Sequence, residues 1–302
     1  MTEYCMNEIV RYIAPVYRPP SEADSLILPV TDGCSWNGCT FCEMYTDPQK
    51  RFRPRDEAEV VETIKRLGEK YGANTRRIFL ADGDAMTLST RRLRLILETI
   101  RSELPGVRRV STYCLPRNVS KKSVAELKEL AALGLSFAYV GAESGDDEIL
   151  TRVNKGETFK STLSALEKLH EAGVKRSVMI LNGLGGEMLT KQHAQQSAAL
   201  MNEAQPEYLA TLVVSFPKGT ERFLKGFADW TPLSITGLMQ EMEMFISQLE
   251  LTRTIFRSDH ASNWLILKGT LGVDKSRLLQ ELRSAIAEPE HAPLRPAWAR
   301  GL

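Results

Sequence analysis

The chain has 302 residues, of which 43% are hydrophobic and 25% charged, and its formal net charge is +1. These proportions are close to those of soluble globular proteins, and a chain of this length buries about three quarters of its unfolded surface, enough for one large α/β domain. The near-zero charge excludes the overall basic field that draws a protein onto nucleic acid, although a local patch stays open.

The first stretch, Met1 to Arg18, is interrupted by Glu3, Glu8 and Arg11, so no secretory leader is expected. No window approaches about eighteen uninterrupted apolar residues, so no membrane span is expected either. Five Cys in a chain of this size make no disulfide framework, and reduced thiols fit a cytoplasmic protein.

Residues 1–24 read as a lead-in, an apolar stretch from Ile9 to Tyr17 followed by the helix-breaking Arg18-Pro19-Pro20. Ser25 to Thr31 reads as a buried strand in which Pro29 sits awkwardly for a central position. A loop then runs to about Arg53. Beyond it the chain alternates. Helical stripes are predicted over Glu57 to Tyr71, Ser89 to Leu104 with Ser89 as N-cap, Ser123 to Leu133, Phe159 to Ala172, and Lys191 to Ala204 capped by Thr190. Short apolar strands are predicted at Arg77 to Ala81, Arg109 to Tyr113, Phe137 to Gly141, Lys175 to Leu181 and Tyr208 to Val214. Successive strand-helix units predict a parallel sheet with right-handed crossovers. Six units are too few to close an eight-stranded barrel, and in such folds the chemistry gathers at the C-terminal strand ends.

The remainder, 216–302, reads as an extension packing on the barrel. It holds a Met-rich helix from Ser234 to Leu251 whose stripe is core, a short strand at Thr254 to Arg257, the polar run Ser258 to Asn263, the apolar Trp264 to Leu267, and a helix from Asp274 to Ile286. The tail from Pro289 is expected to fray.

The loop after the first strand reads Cys34-Ser35-Trp36-Asn37-Gly38-Cys39-Thr40-Phe41-Cys42, and no other Cys or His lies within twenty residues of it. A structural zinc site needs four protein ligands. This stretch has three. A cube of iron and sulfide held by three thiolates leaves one iron free for a substrate, so the spacing points to a [4Fe-4S] cluster with an open iron. Zinc and three unrelated thiols are the alternatives. Cys5 and Cys114 are too far apart in sequence to suggest a second cluster.

The triad, with Phe41 just before its third Cys and the strand-end motifs that follow, resembles the radical S-adenosylmethionine (SAM) superfamily. Most members use C-x3-C-x2-C, and this loop is one residue longer. The resemblance covers about residues 25–215 and implies a partial (β/α)6 TIM-like barrel with a short C-terminal α/β extension. It implies that Cys34, Cys39 and Cys42 hold the cluster and that Phe41 lies beside the adenine. Asp82-Gly83-Asp84 resembles the motif that holds the SAM amino group, where the alternative is a turn with a helix-capping Asp. Glu143 and Ser144 would reach SAM, with Lys155 pairing its carboxylate where an Arg is often found; the alternative is a surface lysine. Asn182, in Leu181-Asn182-Gly183-Leu184-Gly185-Gly186-Glu187, would meet the ribose within a stretch that loosely resembles the adenine-supporting motif, with Glu187 one place out of register.

Outside the resemblance, Arg257, His260 and Asn263 form the densest polar run and are the candidate substrate-facing residues, with His260 the candidate proton carrier. A surface loop is the alternative. Cys114 would either donate a hydrogen atom or serve as a small buried hydrophobe.

The implied activity is reductive cleavage of SAM to a 5'-deoxyadenosyl radical that abstracts hydrogen from a small or medium-sized substrate. A low-potential donor such as flavodoxin or ferredoxin would supply the electron. A cobalamin domain, a coproporphyrinogen-dehydrogenase C-terminal domain and the further domains of a methylthiotransferase are not expected in a chain of this size. Two other readings stand beside it: a non-catalytic iron-sulfur binding or electron-transfer module, and an enzyme that modifies RNA or a peptide.

Overall fold

The computed structural model describes residues 9–300, so Cys5 lies outside the described residues. The chain divides into two units, one comprising residues up to 37, 44–140 and 167–176, the other residues 38–43, 141–166 and 177–302.

The first unit begins with β1 (Leu26–Pro29) and β2 (Thr31–Asp32), the latter pairing antiparallel with β3 (Arg53–Pro54). It continues through α1 (Glu57–Tyr71), β4 (Arg77–Ala81), α2 (Thr90–Glu103), β5 (Arg109–Cys114), α3 (Pro116–Ser120), α4 (Val124–Ala132) and most of β6 (Leu135–Glu143). β1, β4, β5 and β6 pair in parallel in that order. The helical stripes face inward as the periodicity requires: Val60, Ile64 and Leu67 on α1, and Leu93, Ile96, Leu97 and Ile100 on α2, are buried. Ser89 caps α2 by accepting the Arg92 N–H at 3.3 Å, and Ser123 with Glu126 closes a capping box on α4.

Ser25 to Thr31, expected as one strand, is divided. Strand β1 ends at Pro29, and Asp32 is drawn to β3, where its carboxylate accepts from Arg53 at 2.7 Å and from Arg55 just beyond the strand at 3.0 Å. Pro29 is tolerated because β1 stands at the edge of the sheet and pairs on one side only.

The second unit takes the last residues of β6, then α5 (Asp147–Arg152), α6 (Phe159–Glu171, shared with the first unit), β7 (Lys175–Asn182), α7 (Gly186–Ala204) and β8 (Tyr208–Val213). After these come α8 (Glu221–Leu224), α9 (Ile235–Gln248), β9 (Ile255–Ser258), β10 (Leu267–Thr270) and α10 (Lys275–Ala287). β7, β8 and β9 pair in parallel, and β10 pairs antiparallel to β9. Within the first unit the strand order is β1-β4-β5-β6, and within the second it is β7-β8-β9-β10. The extension's strand β9 therefore joins the sheet as a further parallel member, through Tyr208 to Ala210 against Ile255 to Arg257.

Helix α7 starts at Gly186, earlier than the expected Lys191. Thr190 lies inside the helix and does not cap it, because its hydroxyl donates to Glu241 at 2.6 Å. On α9, Met239, Met242, Phe245 and Ile246 are buried, so the methionine stripe is core. The tail from Pro289, expected to fray, is held in place: Arg295 donates to the carbonyls of Asp259, His260 and Asn263, and Arg300 donates to the Ser262 carbonyl and lies over the Trp264 ring. Among the described residues, no helix is long and apolar enough to cross a membrane.

Candidate functional site

In the first unit, Cys34 follows β2 as a half-buried cysteine outside any disulfide. The next residue, Ser35, donates its hydroxyl to the Asp84 carboxylate, and Asn118 on α3 donates to both carboxylate oxygens at 2.8 Å. Asp84 is fully buried, and that burial raises its pKa against the opposing bonds from Ser35 and Asn118. Asp82 is likewise raised by burial, opposed by Lys50, whose ammonium lies 2.5 Å from its Oδ2. Gly83 donates to the Gly33 carbonyl at 3.1 Å, and a Cβ there would stand 2.7 Å from the Tyr45 ring and 2.8 Å from the Gly33 oxygen. Its missing side chain thus admits Tyr45. Trp36 stacks against Arg117, with the guanidinium carbon 3.8 Å from the ring centroid. Lys50, Tyr45, Asn118 and Arg117 escaped the sequence reading. Nothing in their spacing marks them.

In the second unit the loop residues Cys39 and Cys42 are outside any disulfide, one buried and one half-buried, and the Cys42 N–H donates to the Cys39 carbonyl at 3.3 Å. The loop is tied to the turn after α5: the Thr40 N–H donates to the Val153 carbonyl at 2.9 Å, and the Asn154 amide to the Gly38 carbonyl at 3.0 Å. Arg222 donates to the Cys42 carbonyl. Lys155, next in that turn, is 5% exposed and so is no surface lysine. Its ammonium lies 2.8 Å from Glu143 Oε1 and 5.9 Å from the Phe41 ring centroid. Burial pulls the Lys155 pKa down, yet the Glu143 carboxylate and the thiolates of Cys39 and Cys42 raise it on balance. Glu143 ends β6 with φ at +66°, a conformation L residues seldom adopt and which accompanies functional sites. A side chain on Gly141 would run into that carboxylate.

Ser144 and Asn182 are both buried. The Ser144 hydroxyl accepts the Asp146 N–H at 3.0 Å and bonds His193 Nδ1 at 2.8 Å, while His193 Nε2 donates to the Leu181 carbonyl at 3.0 Å. The Asn182 amide donates to the Leu238 carbonyl at 3.1 Å. Phe41 packs against the apolar cluster that includes Ile149, Val153 and Phe223.

The loop leaving the C-terminal end of β9 brings His260 and Asn263 together over β8. Asn263 is buried and donates to the Thr211 carbonyl at 2.7 Å, and the Ser262 hydroxyl accepts the Val213 N–H at 3.0 Å. His260 Nδ1 accepts the Ser262 N–H at 3.1 Å, which leaves the ring proton on Nε2. Burial lowers the His260 pKa and the Arg295 charge lowers it further, with Asp259 opposing. Arg257 is not brought to this group. It lies exposed within β9, in register with Ala210 and Lys268. Cys114 ends β5 as a buried thiol.

Cys34 belongs to the first unit and Cys39 and Cys42 to the second, and among the described residues no three His, Cys, Asp or Glu side chains stand close enough to hold a metal ion. The donor chemistry nevertheless fits a thiolate-held iron-sulfur cluster. None of the three thiols is in a disulfide, and a buried cation offsets the charge on two of them.

A mainly parallel α/β sheet with a three-thiol loop after its first strand and polar side chains at its C-terminal strand ends defines a partial-barrel protein. Residues 28–199 match the Radical SAM superfamily, and the chain belongs to it. It is 22% identical to the heme chaperone HemW of Bacillus subtilis over 58% of this chain and 47% of that protein. It is 26% identical to the tRNA-2-methylthio-N(6)-dimethylallyladenosine synthase of Chromobacterium violaceum over 67% of this chain and 46% of that protein. The chain thus spans less than half the length of these relatives. Among solved structures, coproporphyrinogen III oxidase (HemN) from Escherichia coli, a radical SAM enzyme, superposes with a TM-score of 0.55 at 15% identity, over 82% of this chain and 56% of that one. The methyltransferase TsrM from Kitasatospora setae, with cobalamin and a [4Fe-4S] cluster bound, gives 0.51 at 21% identity, over 62% and 34%. At these identities the structural likeness concerns the fold.

Proposed function

We propose that this chain is a radical SAM enzyme whose Cys34, Cys39 and Cys42 hold a [4Fe-4S] cluster and which acts on a small or medium-sized substrate. The observation that carries this reading is the superfamily match, which spans all three thiols and the strand ends that follow them. Held by these three thiols, such a cluster would supply the reducing electron for cleavage of SAM to a hydrogen-abstracting radical. The protein's residues bind and orient. Lys155, kept charged beside Glu143 and two of the thiols, balances the negative charge of the loop and faces the SAM carboxylate. Phe41 offers the adenine an apolar face. Asp82 and Asp84 are already engaged by Lys50 and by Ser35 with Asn118, so they act by setting the backbone around Gly83 where the SAM amino group docks. His260, with its proton on Nε2, donates a hydrogen bond to the substrate, and Asn263 anchors the loop that carries it. A low-potential flavodoxin or ferredoxin delivers the electron.

The test is anaerobic reconstitution with iron and sulfide, then dithionite and SAM, with chromatography for 5'-deoxyadenosine. Product that vanishes in Cys34→Ala, Cys39→Ala and Cys42→Ala supports the reading. A well-formed four-iron cluster that yields none, and whose EPR spectrum SAM leaves unchanged, sinks it in favour of an iron-sulfur binding module. The tRNA-modifying relative favours a second reading with an RNA substrate. Binding of tRNA that weakens steeply with salt would support that one.

A further inference from the structure

We infer that Glu241, on α9 of the C-terminal extension, positions the loop after β7 for the adenosyl half of SAM; this deepens the function proposed above and rests on it. Glu241 is 2% exposed on a helix face otherwise made of Met239, Met242, Phe245 and Ile246. A carboxylate in such surroundings is costly unless donors meet it. Here they do. Its Oε1 accepts the Gly183 N–H at 2.6 Å, its Oε2 accepts the Thr190 hydroxyl at 2.6 Å, and His193 Nε2 stands 3.8 Å away.

The same segment of chain grips the loop at three further polar points. The Trp230 indole N–H donates to the Gly183 carbonyl at 3.3 Å, the Glu187 N–H donates to the Thr231 carbonyl at 2.9 Å, and the Asn182 amide donates to the Leu238 carbonyl. Both backbone groups of Gly183 are therefore held by the extension. Gly183 has φ at +84°, and a Cβ there would stand 2.8 Å from Leu238 Cδ2, so only glycine fits beneath α9. Glu187, the carboxylate that the sequence places nearest the loop's acidic position, is exposed. The carboxylate that orders the loop arrives instead from more than fifty residues downstream. Packing alone would be served by a further methionine. A buried Glu whose two oxygens bind a loop amide and the helix that follows it instead specifies one loop geometry.

The experiment uses the full chain with its cluster reconstituted. Affinity for S-adenosylhomocysteine, which carries the adenosyl group, is measured by calorimetry alongside iron and sulfide content and hydrogen exchange over 182–187. Glu241→Ala is expected to bind about tenfold to a hundredfold more weakly, the loss of a charge-assisted hydrogen bond, with wild-type cluster content and faster exchange at Gly183. Glu241→Gln, which keeps an acceptor for the Gly183 N–H, recovers part of the affinity. Trp230→Phe, which keeps the ring but not its N–H, weakens binding in the same direction. Wild-type affinity in Glu241→Ala overturns the inference. If that variant loses its cluster or its fold, wild-type affinity in both Glu241→Gln and Trp230→Phe overturns it just as well. Failure of the unmodified protein to bind either S-adenosylhomocysteine or SAM refutes the proposed function itself, and with it this inference.

Discussion

Lys155 shows how a single side chain draws its meaning from its surroundings. With Glu143 on one side and the Cys39 and Cys42 thiolates nearby, its pKa is raised despite burial, so the stabilisation it contributes is fully present below its unfolded value near about 10.4 and is lost only as the pH rises past that. Lys155 therefore keeps its charge across neutral pH. Lys155→Met should leave the half-buried Glu143 carboxylate without its ammonium partner and cost about 3 kcal/mol in urea unfolding at neutral pH. His260 behaves in the opposite way. Its folded pKa is lowered by burial and by Arg295, so the unfolded chain binds the proton more readily, and stability falls as the pH drops below the ordinary histidine value of about 6.5. His260→Asn, which keeps an acceptor for the Ser262 N–H but cannot titrate, should therefore lose less stability than the unmodified chain on going from about pH 7.5 to about pH 5.5. Equal losses in the two proteins would show that His260 is not held neutral.

At the scale of elements, the tail and the loop after β9 stabilise one another. Arg295 and Arg300 cover the carbonyls of Asp259, His260, Ser262 and Asn263, backbone acceptors that would otherwise have to find water. The double variant Arg295→Ala, Arg300→Ala should free the tail, lower stability by about 2 kcal/mol and open the segment after Pro289 to limited proteolysis. A tail that stays resistant in this variant would mean that the apolar contacts around Trp264 suffice. Strand β1 obeys a similar local logic. Its proline is harmless at the sheet edge, where the strand has one partner, and the same residue in β4 or β5 would remove a ladder hydrogen bond.

For the whole molecule, cofactor binding and folding are linked, because ligands that bind only the native state raise its stability by mass action. Reconstitution with iron and sulfide should raise the thermal midpoint, and saturating SAM should raise it again by an amount that grows with concentration, about 2.7 kcal/mol at a hundred times its dissociation constant. Scanning calorimetry under anaerobic conditions checks both steps, and Cys39→Ala should show neither. The alternation of strands and helices, the inward stripes of α1 and α2, the Ser89 cap and the three-thiol loop were legible in residue order alone. These signals are local: they repeat at the period of the element or sit within a few residues of one another. Folding in three dimensions was needed to bury and pair Lys155, to engage Asp82 and Asp84 with Lys50 and Asn118, to keep Arg257 apart from His260, and to bring Glu241 to Gly183. Each of these depends on which donor meets which acceptor across tens of residues. Such pairings are fixed by packing and burial, and spacing along the chain carries no trace of them.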